Sequence, residues 1–299
     1  MSITVRAPAK INLLLGVGAV RPDGYHPLST VYQAIGLYDD VTAGDADAWS
    51  VTVTPTGDVD CSEVPLGEDN IAVRAGQLLA RHHGIERCAR IDIAKGIPVA
   101  GGLAGGSADA AATLVALDRL WDLATPDEDL LRLAGELGSD VPFALLGGTA
   151  HGTGRGELVE PVVDRGDWWW VVVPDEAGLS TAAVYAAYDE LGLGPELEPE
   201  PTGLLDALAT GDPDELAPEL RNDLLPAALH LRPELGAVAD RIRQANAYHA
   251  LLSGSGPTWL ALAGDAGHAH EIAEHLREDL PRVLFAPGPV AGAHVVEYV

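Results

Sequence analysis

Pro98-Val99-Ala100-Gly101-Gly102-Leu103-Ala104-Gly105-Gly106-Ser107-Ala108 is the stretch on which the fold turns. Before it, Arg90–Ile93 alternates apolar and polar residues as a strand does. After it, the residues from about Ala108 to Leu123 are apolar nearly all round, which predicts a buried helix with Ser107 as its N-cap. Successive glycines let backbone N–H groups converge on one point, and a helix N-terminus adds about half a positive charge there. The result is an anion site suited to the phosphates of a nucleotide, to which Ser107 can add a hydroxyl. Three other glycine or serine motifs fail on spacing. Gly106 is followed directly by Ser107, with no lysine between, so this is not a P-loop. Gly101 has Leu103 and Gly102 has Ala104 two residues on, so the dinucleotide fingerprint is absent. No serine is flanked by glycines at two residues on both sides, which removes the nucleophile elbow.

Outward from the loop, strands are predicted at Ile3–Val5, Ile11–Val17, Val31–Leu37 and Trp49–Val53, with Ala7-Pro8-Ala9 separating the first two. Arg21-Pro22-Asp23-Gly24 reads as a turn. Asn70–His82 has helical spacing. Thr125, Pro126 and Glu128 read as a capping box with proline at the first helical position, and Gly138 as that helix's stop. Glycines crowd 147–156, where a domain boundary is placed, giving domains 1–155 and 156–299. In the second half, Trp168–Val173 and His249–Ser253 read as strands, and Leu204–Leu208, Pro226–Leu231, Glu234–Gln244 and His268–Leu280 as helices. The Pro/Glu stretch 194–201 reads as a solvated loop. Strands and helices mixed without strict βαβ order favour an α+β sandwich.

A chain of 299 residues with 47% hydrophobic content can bury the cores of two domains. Its formal charge of −27 argues against a nucleic-acid or anionic-membrane partner. Two cysteines, Cys61 and Cys88, cannot build a disulfide framework, which predicts a reducing, cytoplasmic setting. Arg6 and Lys10 followed by Ile11–Val20 resemble a leader only loosely, because Asn12 breaks the apolar run. Of 18 cationic residues only Lys10 and Lys95 are lysines. A chain that otherwise uses arginine keeps lysine where a compact point charge is needed, beside a phosphate or a reacting hydroxyl.

Three further clusters could carry chemistry. Lys10 and Asn12 stand two apart and share a strand face, and Tyr25-His26 follows a turn with a stacking ring and a hydrogen-bonding edge. Asp140, in Gly138-Ser139-Asp140-Val141-Pro142, is open to reading as a base, a metal ligand or a cap. Leu252–Thr258 either buttresses the phosphate loop or is a plain hairpin. His268, His270 and His275 lie with Glu271 and Glu274 on an acidic helix, better read as a solvated face than as a metal site.

Lys10-Ile11-Asn12-Leu13, Asp23-Gly24-Tyr25-His26, Pro98–Ala108, Ser139-Asp140-Val141-Pro142 and Leu252–Thr258, in this order, resemble the GHMP small-molecule kinases. The resemblance runs from about residue 6 to about residue 260. Within that superfamily, the first two elements resemble the branch that acts on a cytidylyl methylerythritol. The resemblance implies an N-terminal ribosomal-protein-S5-like domain, a C-terminal ferredoxin-like α/β sandwich and an active site in the cleft between them. It implies transfer of the γ-phosphoryl group of ATP, with Mg²⁺, to the 2-hydroxyl of a small-molecule substrate, by a monomer or weak homodimer. Lys10 and Asp140 match the catalytic pair, and Pro98, Val99, Ala100, Gly101, Gly102, Leu103, Ala104, Gly105, Gly106, Ser107 and Ala108 match the ATP loop. Tyr25 and His26 match the cytidine pair, Tyr185 a second stacking ring, and Asn12 and Thr181 polar positions on the substrate side. Ala104 stands where the family often has glycine, which alanine can replace if φ there is negative.

Overall fold

The computed structural model describes residues 1–299 except 100, 176, 196–200 and 297–299. Ala100 and most of the predicted Pro/Glu loop therefore lie outside the described residues. The first half contains β1 (Ser2–Val17), β2 (Leu28–Ala46), β3 (Ser50–Pro55), α1 (Ile71–His83), β4 (Cys88–Lys95) and α2 (Gly105–Trp121). It continues with α3 (Asp127–Leu137), α4 (Val141–Leu146), β5 (Thr149–Thr153) and β6 (Leu158–Pro161). The second half contains β7 (Trp168–Val173), α5 (Thr181–Glu190), α6 (Thr202–Thr210), α7 (Pro213–Leu216), β8 (Arg221–Asn222) and α8 (Leu225–Leu231). It ends with α9 (Leu235–Gln244), β9 (His249–Leu252), β10 (Trp259–Ala263), α10 (Ala266–Arg277), β11 (Leu284–Gly288) and β12 (His294–Val295).

Two sheets organise these elements. The first runs β12-β1-β2-β4-β3, with β5 joining β2, β6 joining β5 and β8 joining β1. The second runs β11-β7-β10-β9 and is antiparallel throughout. Because β8 and β12 lie late in the chain yet pair with β1, the second half is stitched into the first sheet beside the residues that carry Lys10 and Asn12. Helices cover the sheets, giving the α+β architecture. None of them, among the described residues, is long and apolar enough to cross a membrane.

α2 is the axis of the first half. Ala108, Ala110–Ala112, Leu114, Leu117 and Trp121 are all buried against the first sheet and α1. Burying each large side chain contributes about 1.5–3 kcal/mol, and the alanines let the helix lie close to the strands. The helix begins at Gly105, so Ser107 falls inside its first turn and is not the N-cap. Ala104 takes that position with φ +58°, contrary to the negative φ expected of an alanine there, and its side chain caps nothing.

Other boundaries also moved. β1 is one strand, because a bulge between Pro8 and Ala9 absorbs the break that proline makes in the ladder. The Thr125 capping box does not form. The threonine's N–H and hydroxyl both donate to Asp118, and α3 starts at Asp127 without a side-chain cap. α5 went unpredicted, although Ser180 caps it by accepting from the Ala183 N–H and its buried positions follow helical spacing at Val184, Ala187 and Tyr188.

Candidate active site

The glycine-rich loop, from Gly101 onward, sits between two supports. On one side the Lys10 N–H donates to the Leu103 carbonyl at 3.0 Å, tying the loop to β1. On the other, the Ser253 hydroxyl donates to the Gly102 carbonyl at 3.1 Å, so the Leu252–Thr258 turn is a buttress and not a free hairpin. The approach is close enough to require glycine. A Cβ on Gly102, where φ is +74°, would lie 2.5 Å from the Ser253 carbonyl oxygen. Asn222, which the sequence did not single out, holds the buttress by donating to the Leu252 and Gly254 carbonyls.

Between the loop and the segment 63–71 lies a cavity of about 380 Å³ lined by Pro98, Val99, Gly101–Gly106, Lys95 and Asp109. The first-turn amides of α2 face it without a side-chain cap, which is the donor set an anion requires. Ser107 is half-buried and Ala108 buried in that first turn.

Lys95 does not supply a free charge to this site. Its ammonium donates to Asp39 and to Asp109, each at 2.6 Å, and all three side chains are buried. Asp39 also accepts from the Gly96 and Ile97 N–H groups. The cluster therefore clamps the end of β4 to the first turn of α2 and fixes the span of the loop between them. Burial pushes the Asp109 carboxyl up to about 8, with Lys95 opposing the rise and Asp39 adding to it. Asp109 Oδ1 has no hydrogen-bond partner among the described residues.

Lys10 and Asp140 meet as an ion pair at 3.3 Å, though they come from β1 and from the start of α4. Lys10 is buried, and its ammonium donates to Asn12 Oδ1 at 3.0 Å, as the shared strand face requires. Asn12 in turn donates to Thr30, and Thr30 to the Leu14 carbonyl, so each side chain orients the next. Asp140 precedes α4 but caps nothing, which leaves its carboxylate for Lys10 and for the cleft. Tyr32 completes the group. Its ring lies 5.2 Å from the Lys10 ammonium, and burial first, then the Asp140 charge, holds its hydroxyl well above the ordinary tyrosine value. The sequence offered no signal for Tyr32, because it reads as one more residue of a buried strand.

The aromatic pocket lies at the far end of β1. Tyr25 is 54% exposed at the turn, a rare position for a large aromatic. His26 is buried, and its Nδ1 donates to the Gly18 carbonyl at 2.8 Å while Nε2 faces Asp189 at 3.4 Å. Its ring packs at 5.1 Å from Tyr185 and 5.9 Å from Tyr188, both on α5. Burial, and then the Asp140 charge, raise the Tyr185 hydroxyl above its ordinary value. Thr181, the first residue of α5, is exposed and shares a 2.9 Å hydrogen bond with Ser255 in the buttress. The structure thus brings Lys10, Asn12 and Asp140 together beside the glycine-rich loop and His26 against Tyr185, while the Tyr25 ring lies under the Arg155 guanidinium.

Residues 70–148 match the GHMP kinases N terminal domain and residues 204–282 the GHMP kinases C terminal model. A 4-diphosphocytidyl-2-C-methyl-D-erythritol kinase of Nocardioides sp. is 60% identical over 98% of this chain and 100% of its own. One of Thermobifida fusca is 50% identical over 99% and 98%. A crystal structure of 4-(cytidine 5'-diphospho)-2C-methyl-D-erythritol kinase superposes with a TM-score of 0.77 at 35% identity, covering 96% of this chain and 98% of that one. With this degree of identity over nearly its whole length, the chain belongs to the 4-diphosphocytidyl-2-C-methyl-D-erythritol kinase family of GHMP kinases.

Proposed function

We propose that the chain transfers the γ-phosphoryl group of ATP to the 2-hydroxyl of 4-diphosphocytidyl-2-C-methyl-D-erythritol. The products are the 2-phosphate and ADP, in a cytoplasmic step of the methylerythritol phosphate route to isoprenoid precursors. The observation that carries the reading is the Lys10–Asp140 pair at 3.3 Å beside an uncapped helix N-terminus.

In this reading Asp140 accepts the proton of the acceptor hydroxyl, which is a poor nucleophile near neutral pH. Lys10, held by Asn12 and by the face of Tyr32, keeps a positive charge beside the carboxylate and beside the oxygen that carries growing charge. The amides of Gly105, Gly106 and Ser107 hold the phosphates, and the Asp39–Lys95–Asp109 clamp keeps them aimed. Tyr25 offers an exposed face to the cytosine ring, with His26 and Tyr185 framing the pocket and Thr181 and Asn12 on its polar side. Mg²⁺ would enter with the nucleotide, where the Ser107 hydroxyl and the Asp140 carboxylate are the side chains that would hold it. Bound there, it neutralises charge on the transferring group.

The test is phosphoryl transfer from ATP with Mg²⁺ to the cytidylyl compound, galactose, mevalonate and homoserine in parallel, read by ³¹P NMR. A new phosphomonoester on the cytidylyl compound alone is the expected result. Transfer to another acceptor would overturn the Tyr25 pocket, and ATP binding without any transfer would make the chain a nucleotide-binding protein.

A further inference from the structure

We propose that Arg155 binds the diphosphate of the cytidylyl substrate. The inference rests on the cytidylyl reading of the cleft and adds to it a residue that the sequence motifs do not include.

The position of Arg155 is set by its backbone. Gly154 and Gly156 flank it, both with positive φ, at the tip of the β5–β6 hairpin. The Leu28 N–H donates to the Gly154 carbonyl, which staples the tip to the start of β2. Gly156 presses on the catalytic group, since a Cβ there would lie 2.2 Å from the Tyr32 hydroxyl. The Arg155 guanidinium then extends over the Tyr25 ring, 5.2 Å from its centre. Neighbouring residues of one hairpin tip thus touch both tyrosines, Gly156 the Tyr32 beside Lys10 and Asp140, and Arg155 the Tyr25 of the ring pocket.

The substrate's own chemistry requires a cation in that interval. Its diphosphate joins the cytidine to the erythritol, so it must lie between the ring pocket and the hydroxyl that reacts. It carries negative charge into a chain whose net charge is −27, so attraction has to be local. The nearby lysines are committed, Lys10 to Asn12 and Asp140 and Lys95 to two aspartates. Arg21 is held by both oxygens of Asp23. Apart from the Tyr25 ring, the Arg155 guanidinium is held only through Nε, which donates to Glu157 at 3.4 Å, and its two terminal nitrogens have no hydrogen-bond partner among the described residues. Those nitrogens are the pair that an arginine presents to a phosphate in bidentate contact. Glu157 offsets part of the charge, but its other oxygen is engaged by the Arg155 N–H.

The experiment compares the affinity of the full chain for CDP and for cytidine, by calorimetry, in wild type and in Arg155→Gln. The wild type is expected to prefer CDP, and R155Q to lose roughly tenfold of that preference while its cytidine affinity stays within about twofold. An unchanged CDP-to-cytidine ratio would overturn the proposal. So would an equal loss for both ligands, because that would mean Arg155 only braces the Tyr25 ring. Wild-type chain that binds neither ligand would overturn the cytidylyl pocket along with this inference. The KM for ATP in the same samples reports the fold. If R155Q does not keep it, Arg155→Lys decides by the same ratio, with an expected fall of about threefold and an unchanged ratio counting against the proposal.

Discussion

Removing the charge of Lys10 while keeping its stem, as Lys10→Met does, tests the centre of the site. At 3.3 Å from Asp140 and an effective dielectric constant near 20, the attraction between the two charges is about 5 kcal/mol. That is a ceiling, since the Asp140 side chain is 30% exposed and water takes up part of the field. The same ammonium acting at a similar distance on the oxygen that gains charge in the transfer, halved for solvent screening, contributes roughly 2–3 kcal/mol to the transition state, or about a hundredfold in rate. The Lys10 stem packs in the β1 core and methionine fills the same space, so the fold is expected to hold. Initial rates of ³¹P-detected transfer should show kcat down about 10²-fold or more, with KM for ATP changed less than about threefold. Asp140→Asn should lose at least as much, by removing the base itself. The double variant is the sharper test. If the two act on one proton and one developing charge, it should be no slower than the worse single variant, because residues that work as a unit are not additive. Full additivity in the double variant, or a Lys10→Met kcat within fivefold of wild type, would refute the reasoning.

Three other expectations follow from particular contacts. Tyr25→Ala removes an exposed ring that supports no core, so KM for the cytidylyl substrate should rise about tenfold at unchanged thermal stability. An unchanged KM would take Tyr25 out of the pocket. Gly102→Ala drives a methyl group to within 2.5 Å of the Ser253 carbonyl, so KM for ATP should rise at least tenfold while cytidine binding is kept, and equal effects on both ligands would contradict the loop's assignment. Folded chain holds a proton on Asp109 up to about 8, which the unfolded chain releases near the ordinary 3.8, so burial of this group costs stability as pH rises through that window. Lys95 adds no slope there, because its shift lies upward from 10.5. Denaturant unfolding of Asp109→Asn should therefore gain on wild type steadily from pH 4 to pH 8, and parallel curves would show that Asp109 is not protonated in the fold.

Much of the site was legible in the sequence because its motifs are local. The glycine loop, the strand before it and the helix after it are consecutive, and Lys10 and Asn12 needed only the two-residue repeat of a strand to be placed on one face. The turn 21–24 and the exposed Tyr25 after it were likewise local signals. The errors were local as well. Pro8 looked like the end of a strand, and only the partner β2, by looping out two residues, let β1 continue. Thr125 looked like a cap until Asp118, seven residues away, competed for its hydroxyl.

What the sequence determined by itself was the set of chemical groups: a glycine-rich helix start, a lysine and an asparagine on one strand face, an aspartate open to several readings, and a ring at a turn. What only the tertiary structure decided was which groups meet. Lys10 and Asp140 lie 130 residues apart and touch because α4 docks beside β1. Lys95 looked free for phosphate and proved to be held by Asp39 and Asp109, while Arg155 looked like one arginine among many and proved to reach Tyr25. The reason is physical. A charge's role depends on which opposite charges and how much water lie within a few ångströms of it, and in a folded chain those neighbours come from distant residues.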